Sequence, residues 1–251
     1  MGVLGGKVAL VTGAGQGVGR GIALALAAEG CSVALAGRTE GKLRAVRAEA
    51  EARGARALAI GCDVGVADQI DACVARVAEE FGRLDVLVNN AQVVPFGTLL
   101  EVREEDLDAG WRTGPLATLR FMRRCHPYLK GGGSIVNLGT GAALRPDPVG
   151  YGAYAAVKEA IRALTRAAAV EWGADGIRVN AIIPLALSPG MEGWIRERPG
   201  EAAAFLATIP LGRVGDVERD IGRAVVMLTG PDAAYVTGTT LMLDGGQAYL
   251  R

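Results

Sequence analysis

Short apolar runs alternate along the whole chain with longer stretches in which apolar positions recur every three to four residues. The apolar runs at 7–12, 32–37, 56–61, 84–89, 134–139, 177–183 and 240–243 predict buried strands. The periodic stretches at 18–29, 40–53, 67–81, 103–129, 152–172 and 217–228 predict helices. Gly114-Pro115 predicts a break within 103–129, because proline lacks the N–H and its ring clashes with the preceding turn. Strands that are apolar throughout, rather than alternating, are covered on both faces. With helices between them they predict a doubly wound, Rossmann-type α/β fold around a parallel sheet. No repeat or linker divides the 251 residues, so a single domain, 1–251, is expected. The loosest segment is 184–215, crowded with proline and glycine around a short helix expected at 201–208. Long excursions of this kind are often binding loops or lids.

Composition narrows the choice. Half the residues are hydrophobic and 5% aromatic, so the core is aliphatic. Lys plus Arg and Asp plus Glu are 27 each, which gives no global field toward nucleic acid or an anionic membrane. Arg120, Arg123 and Arg124 read as a solvated helix face. Cys31, Cys62, Cys73 and Cys125 form no C-x-x-C pair, and His126 is the one histidine that could join them. A zinc site is therefore not expected, and a reducing, cytoplasmic setting fits. His126, beside Pro127, reads as structural. No apolar run nears the ~18 residues that span a bilayer, and the strand pattern begins soon after Met1 without a basic leader. Gly6 stands where a myristoylation signal needs Ser or Thr.

The chemistry is concentrated in two places. The first strand runs into Thr12-Gly13-Ala14-Gly15-Gln16-Gly17-Val18-Gly19, a G-x-x-x-G-x-G cluster between strand and helix. Glycines there clear Cβ atoms from a helix N-terminus whose N–H groups can hold phosphate. The second strand ends in Ala36-Gly37-Arg38. No carboxylate stands there to take a ribose 2′-hydroxyl, and a guanidinium is placed for a 2′-phosphate, so NADP(H) is expected over NAD. Tyr154 and Lys158 lie four apart near the start of a predicted helix, on one face. A neighbouring ammonium favours the phenolate and makes Tyr154 a candidate acid/base.

These residues resemble the short-chain dehydrogenase/reductase family over nearly the whole chain. The likeness rests on Thr12–Gly19, Asp63-Val64, Asn89-Asn90-Ala91, Ser134–Asn137, Tyr154 with Lys158, Ile177-Arg178-Val179-Asn180, Val236-Thr237-Gly238 and Asp244-Gly245-Gly246. It implies a seven-stranded sheet with the cofactor across the carboxyl ends of the strands. It also implies hydride transfer to or from a small-molecule carbonyl or alcohol. Tyr154 would exchange the proton of the substrate oxygen, Thr140 would hydrogen-bond that oxygen, and Lys158 would hold the nicotinamide ribose and lower the tyrosine pKa. Gly13, Gln16, Gly17, Val18, Gly19, Arg38 and Pro184 would bind the dinucleotide. Asp63 and Val64 would meet adenine, and Asn90 and Ala91 the adjoining ribose. A homotetramer or dimer is implied as well, in keeping with the small residues of 160–170.

Several positions depart from the family pattern. Gln92 replaces a glycine, Gly114 an asparagine that completes a proton relay, and Leu185 another glycine. Pro189 falls at or beside a threonine that holds the carboxamide, with Ser188 next to it, and Val157 replaces a small polar residue. Gln92 and Leu185 are expected to narrow the pocket. The substrate walls would be 92–96, 142–149 and 185–194, with Trp194 and Phe205 either closing over an apolar substrate or packing the lid. Arg145 and Asp147 could select a polar group or face water. These departures leave a second reading open, a noncatalytic NADP(H)-binding sensor or scaffold on the same fold.

Overall fold

A computed structural model describes residues 2–146 and 149–248. The strands are β1 (Val8–Thr12), β2 (Ser32–Gly37), β3 (Ala57–Gly61), β4 (Val86–Asn89), β5 (Ser134–Leu138), β6 (Arg178–Pro184) and β7 (Thr240–Leu243). They form one seven-stranded sheet in the order β3-β2-β1-β4-β5-β6-β7, parallel at every pairing. Helices α1 (Gly17–Ala28), α2 (Glu40–Glu51) and α3 (Ala67–Phe81) follow the first three strands. After β4 come α4 (Glu104–Trp111) and α5 (Ala117–Leu129), then α6 (Gly152–Glu171) after β5. Helices α7 (Pro189–Glu197), α8 (Pro199–Leu206) and α9 (Arg223–Thr229) lie between β6 and β7.

Successive strand side chains point to opposite faces, so each strand feeds two cores. Ala9, Val11, Val33 and Leu35 pack on one side with α1. Val8, Leu10, Ala34 and Ala36 pack on the other with α3 and α5. The doubly wound class expected from the uninterrupted apolar runs is what forms.

The expected break at Gly114-Pro115 does not occur. Residues Arg112–Leu116 wind as a π turn between α4 and α5, with Thr113, Gly114 and Pro115 buried in it. The wider turn relieves the carbonyl that a proline ring would strike in an α-helix, so the path continues. A second π segment, Val217–Gly222, replaces the start of the helix expected at 217–228; Asp216 caps it, accepting from Glu218 N and Arg219 N at 2.9 and 2.7 Å.

This second segment crosses α1 at near-contact. A Cβ on Gly21 would stand 2.2 Å from Val217 O, and one on Gly222 would stand 2.6 Å from Ala25 Cβ and 2.7 Å from Gly21 O. Both partners are backbone or a short side chain and cannot turn aside. Gly222→Ala is expected to cost about 1–3 kcal/mol, read as a melting temperature lower by roughly 2–4 °C per kcal/mol in a chain of this size. An unchanged thermal midpoint would show that the crossing tolerates a methyl group.

The segment 184–215 is more ordered than its composition suggests. Ser188 caps α7, its Oγ accepting from Met191 N at 3.3 Å, and Pro189 opens the helix. Trp194 of α7 and Phe205 of α8 meet edge to face at 5.5 Å, so they pack the lid on itself. Leu185 and Leu187 tie its root to Gly215. Arg145 reaches Thr208 of this segment at 3.1 Å, whereas Asp147 lies outside the described residues.

The four cysteines are free and buried. His126 packs edge to face on Trp172 at 4.9 Å, with Nε2 2.9 Å from Asp175. Arg124 pairs in fork geometry with Asp71 on the surface. No helix among the described residues is long and apolar enough to cross a membrane.

Candidate active site

The strand order turns back between β1 and β4, and the loops leaving these two strands part there to form a cleft. Hydrogen bonds hold its floor. Thr12 Oγ1 accepts from Asn90 N and Ala91 N at 2.9 and 3.1 Å, and Asn90 Nδ2 donates to Thr12 O and Gly13 O at 2.8 and 3.2 Å. Gly13 and Gly17 have φ of +66° and +54°, the left-handed region that side chains disfavour. A Cβ on Gly19 would stand 2.4 Å from Gly13 O and 2.5 Å from Asn90 Nδ2. The glycines therefore let the loop fold down onto the N-terminus of α1, which leaves that end open to a phosphate.

The cleft holds about 470 Å³. Of the residues singled out from sequence, Gly13, Gln16, Gly17, Arg38, Asp63, Val64, Asn90 and Ala91 line it. Val18 packs on the core beside it, Gly19 is the contact just described, and Pro184 ends β6 outside its walls. Asn90 spends its side chain on the glycine loop, so a ribose would meet its backbone. Asp63 Oδ1 is likewise held, accepting from Gly65 N at 2.8 Å.

Sequence reasoning missed Thr39, Lys42 and Thr113, which also line the cleft. Lys42 had a legible signal: it lies four residues after Arg38, in the first turn of α2. Its Nζ bonds Gln16 Oε1 across the opening. Among the described residues the nearest carboxylate in sequence, Glu40, is engaged with Arg44 at 3.0 Å. Two cations and no acid thus close β2. Of the departures, Gln92, Ser188 and Pro189 stand in the wall, while Leu185 does not.

Tyr154, Thr140 and Lys158 gather beside the cleft, where β5 and α6 meet. Lys158 Nζ donates to Leu138 O at 2.7 Å and lies 5.7 Å from the centre of the Tyr154 ring. Burial alone pushes this ammonium down from 10.5 to about 7. Burial also pushes the Tyr154 phenol up to about 12; the Thr140 hydroxyl facing it pulls the other way, and Tyr151 adds to the rise. This corrects the expectation that Lys158 lowers the tyrosine. The lysine is turned to a carbonyl, and desolvation of the phenol wins.

A buried polar line supports the pair from beneath. Asn89 Nδ2 donates to Asn137 Oδ1 at 2.8 Å, Asn137 Nδ2 to Thr165 Oγ1 at 2.9 Å, and Thr165 Oγ1 to Ile161 O at 2.8 Å. On the outer side an aromatic path leads in. Phe96 meets Tyr151 edge to face at 5.1 Å, and Tyr151 meets Tyr154 at 6.2 Å.

A glycine cradle thus stands at the switch point of a doubly wound sheet, and Thr140, Tyr154 and Lys158 lie outside the residues that line it. The chain belongs to the short-chain dehydrogenase/reductase family of oxidoreductases. Residues 13–248 match the family model described as Enoyl-(Acyl carrier protein) reductase. The chain is 44% identical over 255 residues to a 12alpha-hydroxysteroid dehydrogenase of a Clostridium species, covering 98% of both. It superimposes with a TM-score of 0.90 on a short chain dehydrogenase of Burkholderia cenocepacia in complex with NADP, at 34% identity over 97% of this chain and 98% of the other. It is also similar to a 3-ketoacyl-(acyl-carrier-protein) reductase of Brucella melitensis complexed with NADH (TM-score 0.89, 30% identity, 98% and 100% covered).

Proposed function

We propose that the protein transfers a hydride between NADP(H) and a carbonyl or alcohol, with Tyr154 as general acid and base. The observation that carries this reading is the convergence of Tyr154, Thr140 and Lys158 beside a cleft cradled by Gly13, Gly17 and Gly19. When bound, the nicotinamide gives or takes the hydride. In the reductive direction Tyr154 donates its proton to the alkoxide oxygen, and the Thr140 hydroxyl bonds the same oxygen. A phenol held at about 12 keeps its proton through the neutral range and yields it to a strong base such as a nascent alkoxide. Lys158, balanced near 7, becomes fully charged when negative charge enters the cleft.

Arg38 and Lys42 support a 2′-phosphate, and so NADP(H) over NAD(H). Arg38→Asp is expected to reverse the preference, weakening NADPH by about 10- to 100-fold, since a charge-assisted contact worth roughly 1.5–3 kcal/mol is replaced by repulsion. Titration of both coenzymes by fluorescence checks this; an unchanged NADPH-to-NADH ratio removes the charge argument.

Exposed Phe96 packs on Tyr151, which leads to Tyr154, and Val94, Leu99 and Val149 are exposed in the neighbouring segments, which suits a bulky, weakly polar substrate. Oxosteroids, 3-oxoacyl thioesters and aromatic ketones form the panel to test, by loss of NADPH absorbance. The second reading, a sensor or scaffold, is favoured by the Lys158–Leu138 bond, which spends one of the lysine's donors on the backbone. Tight NADPH binding without turnover across that panel would select it. Ala163, Ala167 and Val170 form an exposed small-residue stripe on α6, suited to a homo-oligomer contact.

A further inference from the structure

Gln92 is poorly satisfied where it stands. Both ends of its carboxamide, Oε1 and Nε2, are buried and have no hydrogen-bond partner among the described residues. An unpaired buried polar group costs about 1–3 kcal/mol, so its surroundings need an explanation. The amide is wedged over Gly114. A Cβ there would stand 3.0 Å from Gln92 Cδ, 3.1 Å from Nε2 and 2.8 Å from Val157 Cγ1. Gly114 belongs to the π turn, and Val157 immediately precedes Lys158 on α6. Gln92 thus reaches from the loop after β4 across the cleft wall toward the helix that carries the lysine. Thr113, the buried polar side chain of this turn, is already engaged: it donates to Ala109 O at 2.7 Å and accepts from Val93 N at 3.0 Å.

Lys158 shows the complementary shortfall. An ammonium has three donors, and Leu138 O takes one. A buried cation with open donors, one residue along the helix from the valine this amide packs against, together with a buried amide oxygen without a donor, is the polar setting in which ordered water is held. We propose that Gln92 is a positioning residue for Lys158, its carboxamide seated in the space above Gly114 and joined to the ammonium through water. Gly114 is part of the arrangement, because any side chain there would evict the amide. The polar group that a longer residue could bring from the π turn arrives instead from the β4 loop. This inference rests on the reading of Tyr154 and Lys158 as the chemical centre.

The groups that could obscure a titration of Lys158 are few. Tyr154 faces it from the same helix. Strand β5 and residues 89–93 carry no charge. Arg112 of the π turn lies against Gly65, and Asp106 of α4 is paired with Arg103 at 2.7 Å. The chain has four lysines, Lys7, Lys42, Lys130 and Lys158, so ¹³Cε-lysine NMR of the cofactor-free protein resolves each. In Gln92→Leu, which keeps the bulk and deletes the amide, the Lys158 midpoint is expected to fall by about one pH unit, since solvation of its charged form is lost. The melting temperature should not drop. With a ketone from the panel, kcat should fall at least ~10-fold while KM moves less than about threefold, as befits a group acting on proton transfer. Gln92→Gly should be equally slow, and Gln92→Gly with Gly114→Asn should recover kcat to within about threefold of the parent, because the carboxamide returns from the other side. An unchanged Lys158 midpoint in Gln92→Leu overturns the proposal, as does a folded double variant no faster than Gln92→Gly. If the midpoint moves as expected but Tyr154→Phe keeps full turnover, the reading of the site fails while the Gln92–Lys158 link stands.

Discussion

Tyr154→Phe is expected to lower kcat by about 10²- to 10⁴-fold, the usual contribution of a positioned general acid, with folding and NADPH affinity nearly unchanged. Phenylalanine keeps the ring that packs against Tyr151 at 6.2 Å and removes the hydroxyl alone. The phenol is partly buried and its proton is held to about 12, so nothing in the neutral range competes with the substrate for it. KM should change little, because the hydroxyl matters most when charge develops on the substrate oxygen. Steady-state kinetics on any ketone the enzyme accepts, with coenzyme affinity measured separately, decide the matter. Full turnover in the variant would mean that another group delivers the proton.

Lys158→Met should separate stability from function, with a sign that depends on pH. Lys158 is 3% exposed and its ammonium is pushed from 10.5 to about 7. The unfolded chain then binds more protons than the folded one between those values. Wild-type stability therefore rises from pH 7 toward pH 10.5 as the penalty of burying the charge disappears. Around pH 7 that penalty is on the order of 3–5 kcal/mol. Methionine removes it but leaves Leu138 O without its donor, which costs about 1–3 kcal/mol. The variant should melt several degrees higher than wild type at pH 7 and lower at pH 10.5, with turnover lost at both. Thermal unfolding at the two values is the check, and a variant less stable at both would mean the lysine stays charged in the fold without the penalty. Tyr154 works in the opposite sense at higher pH: its raised pKa stabilises the fold up to about 10, and that support is lost as pH climbs toward 12.

Much of the framework was legible because it is repetitive. Continuous apolar runs such as 32–37 can only be strands covered on both sides, and a glycine cluster after the first of them marks the cleft. What sequence misjudged depends on local exceptions. Gly114-Pro115 reads as a helix end, yet a π turn carries the chain through it. Ser188-Pro189 reads as loop, although a serine cap followed by proline at the first helical position is also how helices begin. Lys42 was passed over because its role needs the distance across the cleft to Gln16. The Tyr154–Lys158 spacing placed the two groups on one face but could not show the lysine bonded to Leu138, nor the burial that raises the phenol's pKa.

The line Asn89–Asn137–Thr165 has a consequence for how finely the chemistry is placed. Contacts between aliphatic side chains are non-directional and resist small axial slips of a helix weakly. Hydrogen bonds of 2.8–2.9 Å between three interior side chains do resist them, since their energy falls steeply with length and angle. They index α6 against the β4–β5 pair like a detent on a sliding rail. Tyr154 sits three turns nearer the cleft than Thr165, about 16 Å along the axis at 1.5 Å per residue. The placement of its phenol is therefore gauged from deep inside the molecule.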